Sequence, residues 1–132
     1  MEENGEKSQR RDEVFTGNRA ISVDIIIKVR NAICKIILKE GENECYGTGF
    51  FMKVYDYLKY LIINYHVINP DIIKNKIIDI EIWNQKKMKL NVLNRKKKFF
   101  EKPKDITIIE IHDFDEIYKD IEFLDYDKNY YI

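Results

Sequence analysis

Cysteine and proline occur only twice each in this 132-residue chain, and glycine five times. Two cysteines cannot make a disulfide framework, so cysteine usage gives no support to secretion. Net charge is also missing: 23 basic side chains balance 23 acidic ones. That balance offers no general attraction to nucleic acid or to an anionic membrane. Long apolar runs are absent too, and none approaches the roughly 18–20 residues that a bilayer span needs. The opening Met1-Glu2-Glu3-Asn4-Gly5-Glu6-Lys7 is polar and mixed in charge. It lacks the basic start and apolar stretch of a signal peptide. These absences predict a cytoplasmic chain with no membrane or nucleic-acid partner.

What is present is the material of a single folded unit. Apolar residues make up 45% and charged residues 35% of the chain, and the length suits one domain with one core. Residues 1–19 hold little that is apolar beyond Val14 and Phe15, so a disordered polar tail is expected there. Asp24 is a plausible N-cap for a short helix that runs to Asn31. From Ala32 the apolar period becomes that of strands. The strand-like runs lie at about 32–38, 45–54, 58–63, 77–83, 88–93 and 106–111. Asn84-Gln85-Lys86-Lys87 joins the fourth and fifth, residues 69–76 form a loop or single helical turn, and residues 95–104 form a basic loop. About six short strands at this spacing predict an all-β protein: one antiparallel Greek-key barrel over residues 20–124, with a short N-terminal helix and a C-terminal tail at 125–132.

Two residues stand out as carriers of chemistry. His66 follows the buried-type run Leu61-Ile62-Ile63, and Asp105 precedes the run Ile106-Thr107-Ile108-Ile109, 39 residues later. A carboxylate that accepts from one imidazole nitrogen fixes the tautomer and leaves the other nitrogen as a base. Other candidates are weaker. Cys34 sits on an apolar strand face and reads as a small buried hydrophobe, while Cys45 starts the adjacent strand. Cys34, Cys45, His66 and His112 have no ligand-type spacing, so no metal and no cofactor is expected. Arg95-Lys96-Lys97-Lys98-Phe99-Phe100 mixes basic and aromatic residues as single-strand binders do, but reads best as a solvated loop. Tyr126, Tyr130 and Tyr131 give the end of the chain an aromatic character suited to an interface or a frayed tail.

Three segments then appear in a telling order: Gly47-Thr48-Gly49-Phe50-Phe51-Met52, Asn64-Tyr65-His66-Val67 and Asp105-Ile106-Thr107-Ile108-Ile109. Together they resemble the first barrel of the trypsin-like serine peptidases, a family with a chymotrypsin-type double barrel. The resemblance covers roughly residues 32–124, with residues 121–124 matching the apolar stretch after the Asp strand. It implies that His66 is the general base and that Asp105 orients it. It also implies a protein or peptide substrate and no cofactor. The chain departs from the family in having Ile63 where Thr is common, Tyr65 where a small residue is common, and Thr107 where Ala is common. Its only serines are Ser8 and Ser22, and nothing after Asp105 resembles the GxSGG-type turn of the second barrel. The expectation is therefore the His/Asp-bearing half of a serine endopeptidase, inactive alone, with a second-barrel polypeptide as a possible partner. The alternative is a non-catalytic barrel that binds a partner, a pseudoprotease.

Overall fold

The structure is a computed structural model that describes residues 13–16, 19–75 and 77–126. It is predominantly antiparallel sheet, with a single α-helix among the described residues. Strands β1 (Glu13–Thr16) and β2 (Arg19–Ser22) pair as a hairpin. Part of the stretch expected as a tail thus holds a strand; residues 1–12 and 127–132 lie outside the described residues. Helix α1 spans Val23–Asn31 and is capped by Ser22, whose hydroxyl accepts from the Ile25 N–H at 3.3 Å. The cap is therefore Ser22 and not Asp24, which stands in the first turn and favours the positive end of the helix dipole.

The main sheet is built from β3 (Ile33–Glu40), β4 (Asn43–Val54), β5 (Leu58–Asn64), β6 (Ile77–Glu81), β7 (Lys87–Asn91), β8 (Lys97–Phe100) and β9 (Ile106–Glu110). Their spatial order is β7-β6-β3-β4-β5-β9-β8. Four consecutive strands, β3 to β6, lie in the order β6-β3-β4-β5, which is the Greek-key arrangement. The two ends of this seven-strand path, β7 and β8, are consecutive in the chain and joined only by residues 92–96. The sheet must therefore curl until its edges approach, giving a half-barrel. Seven strands replace the expected six because residues 97–100, expected within a basic loop, form β8 against β9. A two-residue strand, β10 (Leu124–Asp125), adds to β4 in parallel.

Alternation along each strand selects the core. Cys34, Ile36, Phe51, Leu61, Ile63 and Ile109 turn inward and are buried, where they join Ile80, Leu90 and Val92 from β6, β7 and the residue after it. Ile68 and Ile117 close the core from the loops. The opposite face carries the cross-strand row Ile33, Phe50, Ile62 and Ile108. Gly47 and Gly49 mark close approaches on the inner face. A Cβ on Gly47 would collide with the side chain of Val67, and one on Gly49 would press on Leu61, Ile63 and Cys34. The first of these lets the segment after His66 lie flat against β4. Among the described residues no helix is long and apolar enough to cross a membrane.

Candidate active site

The end of β5 and the start of β9 are neighbours, with Asn64 opposite Ile106. His66 follows the first and Asp105 precedes the second, so the register alone brings them to one rim. After β5 the chain makes a single tight turn, in which the Asn64 carbonyl accepts from Val67 N–H at 3.0 Å and from Ile68 N–H at 3.1 Å. That turn lifts His66 out of the sheet and leaves its side chain 63% exposed. Asp105 takes a positive φ of 55°, a left-handed conformation that Asp adopts more readily than most residues. Its carboxylate is thereby aimed back over the turn.

The resulting contacts are close. The His66 Nδ1–H donates to Asp105 Oδ2 at 2.6 Å, and the His66 main-chain N–H donates to Asp105 Oδ1 at 2.9 Å. Asn64 Nδ2 donates to the Asp105 carbonyl at 3.3 Å and to Oδ2 at 3.4 Å, and the Tyr65 N–H donates to that carbonyl at 3.1 Å. An ionised carboxylate only accepts, so the proton belongs on Nδ1 and Nε2 is left as the basic nitrogen. Desolvation alone pushes the Asp105 carboxyl up. The hydrogen bonds from the His66 ring and main chain, with the charges of His66 and Lys102, outweigh it and hold the carboxyl below the usual carboxylate range.

Three supports for this pair come from residues whose roles sequence reasoning did not assign. Thr107 is fully buried and its hydroxyl donates to the Ile68 carbonyl at 2.6 Å, tying β9 to the far end of the His66 turn. Asn64 cross-links the two segments as described. Val67 fits the space left by Gly47. The signal available for Thr107 was a polar residue inside an apolar strand run, and for Asn64 a polar residue that ends one. Tyr65, the bulky residue beside His66, turns its ring onto Phe99 edge-to-face at 6.4 Å, and the His66–Asp105 contact stays intact.

No family model matches the chain, and no curated protein matches it.

The other candidates lie elsewhere. Cys34 is buried, and burial pushes its thiol up to about 12 against the opposing pull of the Gly49 main chain, which removes it as a nucleophile. Cys45 lies opposite Leu38, four register positions from the Cys34–Gly49 pair, and no disulfide joins the two cysteines. Among the described residues no group of three His, Cys, Asp or Glu side chains could hold a metal ion. His112 stacks on Phe114 at 4.7 Å and faces Glu110 at 3.3 Å. The basic loop divides in two. The side chain of Arg95 is largely covered and forms a bidentate pair with Asp115, both contacts at 2.8 Å, and also donates to the Glu110 carbonyl at 3.0 Å. Lys97 donates to the carbonyls of Val92 and Arg95. These two are structural clasps, not part of a solvated loop. Ser22 is occupied as the α1 cap, and Ser8 lies outside the described residues. A shallow groove of about 450 Å³ beside β3, lined by Arg30, Lys35, Tyr46 and Trp83 among others, does not include His66 or Asp105.

Proposed function

We propose that this chain is the His/Asp-bearing half of a trypsin-like serine endopeptidase that hydrolyses peptide bonds by acyl transfer. One observation carries the reading: Asp105 grips His66 through both the ring and the main-chain nitrogen, at 2.6 and 2.9 Å. Such a grip fixes both the position and the tautomer of the ring, as a general base needs. In this reading His66 Nε2 takes the proton of a serine hydroxyl as that oxygen attacks the scissile carbonyl. Asp105 stays ionised and stabilises the imidazolium, which then gives the proton to the leaving amine. In this reading the serine and the N–H donors for the oxyanion belong to a second barrel outside these 132 residues, whose own serines are only Ser8 and Ser22. The partner has a surface to cover: Ile33 and Phe50 on the outer face and five apolar residues of α1 are exposed.

The test is fluorophosphonate labelling and peptide hydrolysis in the assembly that the chain forms in its native extract. Wild type is compared with His66→Ala and Asp105→Ala. The expected result is labelling, on whichever chain carries the second barrel, that both variants abolish. An assembly that neither labels nor cleaves favours the second reading, a non-catalytic barrel that binds a partner, for which the missing nucleophile is the supporting observation.

A further inference from the structure

The rim that holds the dyad also carries a cluster of lysines. Strand β8 and the turn that follows it, residues 97–105, contain four lysines and two acids, Glu101 and Asp105. Lys97 is consumed by main-chain carbonyls. Many lysines elsewhere on the sheet are neutralised: Lys35 by Glu81, Lys53 by Asp56 and Asp125, Lys86 by Asp120, Lys89 by Asp79. Lys98, Lys102 and Lys104 are exposed and form no ion pair among the described residues. Glu101 accepts from the Tyr65 hydroxyl, and burial together with this acid helps to hold it in the protonated form. Three cations with no ion pair among the described residues thus stand on one short hairpin, and the charge of one of them, Lys102, reaches Asp105 of the dyad.

The aromatic residues there decide between two kinds of anionic partner. Binding single-stranded nucleic acid requires open ring faces on which bases stack, and cations that follow the backbone over several nucleotides. Phe99 is engaged by Tyr65 at 6.4 Å, Phe100 lies under the Lys104 ammonium at 5.2 Å, and both are half-buried. The rings therefore stiffen the hairpin and fix its cations. The cations themselves, Lys98 on β8 and Lys102 and Lys104 in the turn after it, span seven residues of one hairpin.

We propose that the β8–β9 hairpin is a docking surface for an acidic peptide segment, whose carboxylates pair with Lys98, Lys102 and Lys104. If the segment belongs to a substrate, its neighbouring main chain passes His66; that orientation rests on the peptidase reading, whereas the docking itself does not.

Fluorescence anisotropy on the intact chain tests it. The probes are a labelled peptide of alternating Glu and Ala, the same peptide with Gln for Glu, and an oligothymidylate of equal charge. The Glu peptide is expected to bind roughly tenfold more tightly than the Gln peptide, the sum of three exposed charge pairs, and to weaken as salt rises. Lys98→Gln/Lys102→Gln/Lys104→Gln is expected to erase that preference, and the matching Glu replacements to reverse it. Thermal unfolding of each variant at the wild-type temperature verifies the fold, and the Gln set serves if the Glu set unfolds. Equal binding of Glu and Gln peptides, or a preference that survives the substitutions, overturns the proposal. So does tighter binding of the oligothymidylate, which would mark a nucleic-acid surface. Binding is read without turnover, so a failure of the peptidase reading leaves this result standing, and a failure here leaves the labelling result standing.

Discussion

At the scale of single residues, two carboxylates do different work by similar means. Asp105 is the orienting group of the rim, and its pKa is depressed because its charged form is bonded to His66. A depressed folded-state value means that its contribution to stability is fully present above the unfolded carboxyl value of about 3.9. It is lost as pH falls through the lower folded value. The Asp105 carboxyl carbon, followed by NMR, should therefore titrate below about pH 3.9, and the His66 Nδ1–H signal should persist until it does. Asp105→Asn keeps a side chain that tolerates the left-handed backbone, yet loses the ionised acceptor. The His66 ring should then lose its preference for the Nδ1–H tautomer while the fold persists. Asp115 is the second case. Burial raises its carboxyl, and the guanidinium of Arg95 with the His112 N–H brings it below the usual range. The pair is buried on both sides and lies between the β7–β8 link and the loop after β9. Arg95→Ala leaves the Asp115 charge uncompensated and should destabilise the chain by about 3–5 kcal/mol in urea unfolding. A shift within about 0.5 kcal/mol, the norm for an exposed residue, would mean that the clasp is dispensable.

At the scale of elements, the rim is set by how the turn after β5 is pinned to β9. The Thr107 hydroxyl supplies that pin from a fully buried position, and the Ile68 carbonyl receives it. Thr107→Val keeps the shape but strands a buried carbonyl, which costs about 1–3 kcal/mol. Urea unfolding should register that loss, and the His66–Asp105 hydrogen bond should weaken with it, seen as faster exchange of the ring N–H. An unchanged ring signal would show that the rim holds its geometry without the pin. The strands that frame the rim were readable from their period, since β4, β5 and β9 bury alternate apolar residues or run apolar throughout. The meeting of His66 and Asp105 at one rim was legible only through a pattern of motifs, because residues 39 apart carry no mutual signal of their own. Strand β8 was hidden: Lys97 and Lys98 read as solvated, while in the fold Lys97 turns its ammonium onto carbonyls. The helix cap was misplaced by two residues because Ser22 and Asp24 are both good caps, and only the path of the preceding strand β2 selects between them. Thr107 and Asn64 were not assigned for a similar reason, as their partners are main-chain oxygens whose positions exist only once the sheet has curled.

At the scale of the whole molecule, the inward and outward faces of the sheet tell different stories. The inward face closes fully, from Cys34 through Phe51 and Leu61 to Ile109. The outward row begins with Ile33 and Phe50, which are register partners and are 40% and 37% exposed. Helix α1 leads directly into that strand, and it exposes Val23, Ile25, Ile26, Ile27 and Val29 without burying any of its residues. A nine-residue helix of β-branched side chains has little intrinsic stability in water. Its persistence without a buried face is explained if a partner surface packs over it. Without that partner, the exposed apolar surface should drive the isolated chain to self-associate as its concentration rises. Sedimentation velocity is the measurement, and the informative variants are Ile33→Lys and Phe50→Lys, each of which places a charge on the outward row. Both should shift the chain towards monomer while leaving the thermal midpoint nearly unchanged, because neither residue belongs to the core. A wild-type chain that stays monomeric at high concentration would show that this face needs no cover. The dyad would then belong to a barrel that stands alone, and its hold on His66 would describe how a binding rim is kept rigid.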